Sequence, residues 1–169
     1  MAYEEAGYQV VQKFENFEIR YYQERYVIQV NYANQNGGFQ KLFNYISGKN
    51  QKSEKIEMTT PVTQYSSGNQ QVMQFYLPER FDRNNAPVPL NNSVEVASIK
   101  AGYFAVIRYS GFASDKNFFK HASILKKSLE KEKIDFKEPP IKATYNGPFT
   151  LPNLRKNEAM YRVNSNFSD

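Results

Sequence analysis

Two apolar runs, each followed by a helical spacing, set the frame of this chain. Tyr26-Val27-Ile28-Gln29-Val30-Asn31-Tyr32 is rich in β-branched and aromatic residues and reads as a strand. A turn at Asn36-Gly37-Gly38 follows it. Phe39, Leu42, Phe43 and Ile46 then fall at i, i+3, i+4 and i+7, the spacing of one helix face. Tyr103-Phe104-Ala105-Val106-Ile107-Arg108-Tyr109 repeats the strand 77 residues on (Tyr26 to Tyr103), again bracketed by tyrosines. Asp115, or Ser114, caps a second helix whose apolar face is Phe118, Ala122, Leu125 and Leu129. Two strands close each half, near 56–65 and 71–77 in the first and near 141–145 and 159–163 in the second. Pro78 ends the earlier pair. The pattern is β-α-β-β written twice, with added amino-terminal strands near 8–14 and 17–21.

Neither half can bury a sheet face and a helix alone. The expectation is therefore an α+β fold: one domain over 7–163, with two helices packed on an antiparallel curved sheet. The first repeat covers about 8–80 and the second about 93–163. The Asn- and Pro-rich stretch 81–92 links them, and 1–6 and 164–169 are tails.

Composition narrows the function by exclusion. The 169 residues include 13 Tyr and 13 Phe but no Trp, no Cys and a single His. One histidine rules out a His-pair metal site within the chain, and no cysteine removes disulfides. No window reaches the roughly 18 apolar residues of a membrane span. The start, Met1-Ala2-Tyr3-Glu4-Glu5, has no signal-peptide pattern, so a cytoplasmic location is expected, with a periplasmic or secreted one as the alternative. The net charge of +5 lies wholly in residues 86–169, which hold thirteen Lys and Arg against eight Asp and Glu. Lys116, Lys120, Lys126, Lys127, Lys131, Lys133 and Lys137 supply much of it, as a solvated helix face or a basic rim for carboxylates. No nucleic-acid-reading motif accompanies them.

Few residues offer chemistry. His121 falls about 60° from Phe118 on the second helix, on the shoulder of its apolar face, where a histidine more often packs than ligates. In Asn157-Glu158-Ala159-Met160-Tyr161-Arg162-Val163, strand alternation puts Ala159, Tyr161 and Val163 beneath the helix. Glu158, Met160 and Arg162 then face a groove or solvent. Glu57 is the other carboxylate considered, and it alternates outward from Ile56 and Met58.

Three segments carry a resemblance. Phe17-Glu18-Ile19-Arg20-Tyr21-Tyr22, Lys55-Ile56-Glu57-Met58-Thr59-Thr60-Pro61-Val62-Thr63 and Tyr145-Asn146-Gly147-Pro148-Phe149 stand in an order in which the chain resembles the SOUL/haem-binding-protein family. The resemblance implies a distorted β-barrel of two pseudo-twofold βαββ repeats, shared with gyrase-inhibitor-like effector-binding domains. It also implies haem or another tetrapyrrole as ligand, held in a groove between the repeats.

Some relatives have a histidine where this chain has Tyr21, and a tyrosinate ligand would need a neighbouring cation to lower its pKa. Arg20 is adjacent in sequence but falls on the other strand face. Porphyrin can also be held without an iron bond, and the resemblance then points to Met58, Met73 and Met160 for apolar contact and to Arg155 and Lys156 for the propionates. Gyrase-inhibitor-like relatives carry a groove glutamate, matched by Glu158, that meets cationic ligands.

The expected protein is thus a monomeric, non-catalytic binder of a porphyrin or other small hydrophobic ligand, serving haem transport, buffering or sensing. The alternatives are a binder of aromatic or cationic effectors, and a small-molecule hydrolase using Glu158 with Tyr21 or Tyr145.

Overall fold

The computed structural model describes residues 3–33, 37–147 and 150–164. Met1, Ala2, Asn36, Pro148 and Phe149, named above, lie outside the described residues. The elements run β1 (Glu4–Glu5), β2 (Gln9–Lys13), β3 (Glu18–Tyr22), β4 (Arg25–Tyr32), α1 (Gly38–Ile46), β5 (Thr59–Thr60), β6 (Val62–Ser67), β7 (Gln70–Tyr76), β8 (Val94–Ile99), β9 (Gly102–Tyr109), α2 (Asp115–Lys131), β10 (Phe136–Thr144) and β11 (Asn157–Val163). A short 3-10 turn, Pro152–Leu154, precedes β11. The fold class is α+β, as expected. β4 and β9 begin 77 residues apart, at Arg25 and Gly102, and so do α1 and α2, at Gly38 and Asp115.

The chain forms two compact units. The first comprises residues up to Ala6 together with Glu24–Lys100, and the second comprises Gly7–Gln23 together with the chain from Ala101 onward. These units do not coincide with the sequence repeats. β3 precedes β4 in the chain yet pairs with β9, while β8 precedes β9 yet pairs with β4. Each unit takes its flanking strand from the other half of the sequence.

In the first unit an antiparallel sheet runs β6-β7-β4-β8, and α1 covers one face. Pro61 has no N–H for a ladder and divides its segment in two. Thr59–Thr60 pairs in parallel with Glu4–Glu5, and Val62–Ser67 pairs with β7. The Thr59 hydroxyl donates to the Tyr76 carbonyl at the end of β7.

The apolar face of α1 differs from the one its spacing suggested. Leu42, Tyr45 and Ile46 are buried, whereas Phe39 and Phe43 stack on each other and stay nearly half exposed, Phe39 also meeting the core edge-on at Phe75. Tyr45 joins the buried face, and its hydroxyl donates to the Pro87 carbonyl at 2.6 Å, a partner that hydrophobicity alone does not reveal. Gly37, at φ +104°, admits the turn, and a Cβ on Gly38 would come within 3.0 Å of the Tyr32 ring. The stretch 81–92 is fastened down here, with Phe81 in the core and Gln51 N–H donating to Val88 O at 2.9 Å.

In the second unit the sheet runs β2-β3-β9-β11-β10, all antiparallel. Phe118, Ala122, Leu125 and Leu129 of α2 pack on Ile19, Ala105, Ile107, Tyr109, Ala159, Tyr161 and Val163. The expected faces of both α2 and β11 are the observed ones. Burying each large side chain contributes about 1.5–3 kcal/mol. Ser114 is the cap: its hydroxyl accepts from Asn117 N–H at 3.1 Å, and Asp115 sits in the first turn, where the helix dipole favours an acid.

Candidate functional site

The helix-free face of the second unit's sheet holds a connected group of charges, Glu18, Arg20, Arg108 and Glu158. Register places Glu18, Arg20 and Tyr22 of β3 on the same face as Phe104, Val106 and Arg108 of β9 and Glu158, Met160 and Arg162 of β11. Arg20 is 1% exposed and Glu158 0%, so strand geometry has buried both charges.

They survive there because each is fully engaged. Arg20 Nη1 and Nη2 donate to Glu158 Oε1 and Oε2 at 2.9 and 2.7 Å, a bidentate fork. Arg20 also donates to the Tyr22 hydroxyl at 2.9 Å and to Glu18 Oε2 at 2.6 Å. Its guanidinium lies 3.9 Å from the Tyr8 ring centroid. The Tyr145 hydroxyl donates to Glu158 Oε1 at 2.6 Å, and Lys156 Nζ stands 4.1 Å from the Tyr145 ring centroid. Arg108, 56% exposed, approaches Glu158 Oε2 at 3.5 Å.

These contacts set the protonation states. Burial disfavours the Glu158 carboxylate, but the Arg20 hydrogen bonds and charge, the Tyr145 hydroxyl and Lys156 together hold its pKa below the ordinary value. Burial, then the Glu158 charge, pushes the Tyr145 phenol far up, so it stays a donor. Arg20 loses stability as a cation through burial and regains more from Glu158, so it stays charged throughout.

The expectation that Glu158 faces a groove or solvent is corrected accordingly. It is on the expected sheet face but is sealed and paired. Arg20, 138 residues distant in the chain, is the functional-looking residue that sequence reasoning passed over. The alternation of Phe17–Tyr22, which separates Arg20 from Tyr21, was the one signal that put it on this face.

The other sequence candidates are scattered. Tyr21 lies on the helical face, its ring 5.2 Å from Tyr103, so strand geometry separates it from Glu158 and Met160. Tyr145, not Tyr21, is the phenol that meets Glu158. Met160 is buried on the Glu158 face. Met73 belongs to the core beneath α1, with Met58 packed against it. Arg155 braces its own loop, donating to the carbonyls of Gly147 at 2.7 Å and Thr150 at 3.2 Å. Glu57 pairs with exposed Arg80. His121 is half-buried on α2 and stacks on Tyr109 at 4.1 Å and 5°.

The first unit's helix-free face is polar rather than charged. Gln29 donates to Glu95 Oε1 at 2.7 Å, Gln74 to Gln29 at 2.9 Å and Thr63 to Gln74 at 2.8 Å. A carboxylate only accepts, so Glu95 at the rim orients the whole row.

Among the described residues no three His, Cys, Asp or Glu side chains cluster to hold a bare metal ion. For a haem iron the donor set is more favourable. Tyr145 is held protonated, but His121 presents an imidazole nitrogen without a partner among the described residues. No helix among the described residues is long and apolar enough to cross a membrane.

The chain belongs to the SOUL heme-binding protein family, whose model matches residues 3–162. Heme-binding protein 2 of Homo sapiens is 32% identical over 142 residues, covering 76% of this chain and 65% of that protein. The chain therefore spans just under two thirds of that relative's length. The crystal structure of the EcmrR C-terminal domain superposes with a TM-score of 0.63 at 14% identity, covering 94% of this chain and 98% of that one. A hydrolase from Listeria innocua superposes with a TM-score of 0.62 at 10% identity, covering 88% and 92%. Both structural likenesses show the fold alone.

Proposed function

We propose that this protein binds a tetrapyrrole, haem above all, and carries out no chemistry on it. Family membership supports the ligand class, and the name of the human relative agrees with it. The observation that carries the choice among ligands is the state of Glu158. A binder of cationic effectors needs an available carboxylate, and here Arg20 fills that place with two hydrogen bonds. Displacing it would leave a buried cation with only Glu18 and the Tyr22 hydroxyl as partners, at a cost of about 2–4 kcal/mol.

A hydrolase needs a base poised near neutrality. Glu158 titrates below the ordinary carboxylate range and Tyr145 above the ordinary phenol range, which moves both away from that role. A bound porphyrin is held and released, so the protein serves as a carrier, buffer or sensor of it.

Calorimetric titration with protoporphyrin IX and, separately, with the lipophilic cation tetraphenylphosphonium tests the reading. Saturable porphyrin binding with no measurable uptake of the cation is expected. Tight cation binding with none of porphyrin would overturn it in favour of the effector-binding alternative.

A further inference from the structure

His121 is the chain's single imidazole, and the fold holds it in one tautomer. Its Nδ1 lies 2.8 Å from the carbonyl oxygen of Asn117. A carbonyl only accepts, so Nδ1 carries the proton and Nε2 the lone pair. Nε2 has no partner among the described residues and is not among their fully buried unsatisfied atoms, and the ring as a whole is half-buried. The ring lies flat on Tyr109, which is 6% exposed and fixed in the core beneath α2. An imidazole that donates to a backbone carbonyl through one nitrogen has its ring orientation fixed, which aims the other nitrogen.

Two further observations set this place apart. The Tyr109 hydroxyl is buried and unpartnered, alone in that among the described side chains. A phenylalanine would fill the same space without that penalty, so packing does not account for the residue beneath His121.

The second is a set of exposed apolar side chains on loops fastened to Asn117, the residue whose carbonyl holds His121. Asn117 Nδ2 donates to the carbonyls of Ser110 and Phe112 at 3.1 and 3.0 Å, tying the loop after β9 to the first turn of α2. Gly111 N–H donates to Pro152 O at 2.8 Å, which fastens that loop to the 3-10 turn. Phe112, Leu151 and Leu154, carried on these two joined loops, are 67%, 62% and 66% exposed. Lys116 and Lys120 are exposed on the opening turns of α2, within the same segment.

We infer that His121 Nε2 is the protein's ligand to haem iron, with Phe112, Leu151 and Leu154 receiving the macrocycle and Lys116 and Lys120 answering the propionates. The inference rests on the tetrapyrrole reading above and adds the iron ligand to it. The iron bond supplies an attraction that an iron-free porphyrin lacks, and that difference makes the two separable.

The test compares ferric hemin and protoporphyrin IX on the wild type, His121→Ala and His121→Gln, with circular dichroism confirming the fold of each. Both variants should lose the imidazole-ligated Soret and spin-state signature and bind hemin about tenfold or more weakly, while protoporphyrin affinity changes less than about twofold. Free imidazole should restore the signature in His121→Ala. An unchanged hemin spectrum in both variants overturns the inference and leaves the tetrapyrrole reading standing. Equal weakening of hemin and protoporphyrin also overturns it, since His121 would then pack against the ring. A wild type that takes up neither compound removes both.

Discussion

Glu158→Gln is the substitution whose consequence the structure determines most fully. The side chain keeps its shape and one carbonyl acceptor but loses its charge and one of its two hydrogen bonds to Arg20. Removing one partner of a buried ion pair costs about 3–5 kcal/mol when the other is left stranded. Arg20 is not wholly stranded, because Glu18 at 2.6 Å and the Tyr22 hydroxyl at 2.9 Å remain. We therefore expect about 2–4 kcal/mol at pH 7. With a urea slope of about 2 kcal/mol/M, the unfolding midpoint should fall by about 1–2 M.

The pH dependence gives a second check. The folded pKa of Glu158 lies below its unfolded value, so its contribution is present above about pH 4.3 and is lost as pH falls through the folded pKa. The gap between wild type and variant should thus be complete at neutral pH and narrow in acid. Arg20→Met combined with Glu158→Leu should recover most of the loss, since both charges leave together. A Glu158→Gln penalty under about 1 kcal/mol, or one that is constant from pH 7 down to the acid transition, would refute the buried-pair account.

Other outcomes follow from single features. Tyr109→Phe removes an unsatisfied buried hydroxyl and should raise stability by about 1 kcal/mol in thermal melts, whereas Tyr145→Phe removes a paired one and should lower it by a similar amount. Ser114→Ala takes the cap from α2 and should cost about 1 kcal/mol, read as a lower melting temperature. A fragment ending at residue 92 lacks β8 and leaves β3 without β9, so it should show no cooperative unfolding by circular dichroism.

Local pattern carried the repeat, and long-range pairing escaped it. The 77-residue spacing of strands and helices and the inward face of β11 were legible because each depends on a few neighbouring side chains. The face of α1 was only half legible: Leu42 and Ile46 are buried as expected, but Tyr45 joins them while Phe39 and Phe43 stay nearly half exposed. The strand Val94–Ile99 was missed, and so was the crossing by which β3 and β8 exchange units, since nothing in a strand's own sequence names its partner.

The same limit applies to the site. Alternation put Glu158 on the correct face, yet whether it meets a ligand or an internal cation depends on a residue 138 positions away. His121 was placed correctly on the shoulder of its helix. Its tautomer follows from a backbone carbonyl that no sequence pattern reports.

Haem uptake itself is the most direct test of the central claim. Ferric hemin titrated into the protein at micromolar concentration and followed in the Soret region should give a shifted band that saturates at one equivalent per chain. The complex should survive gel filtration and show no change in the porphyrin's composition over time. A linear, unsaturating response that is lost on the column would contradict the account.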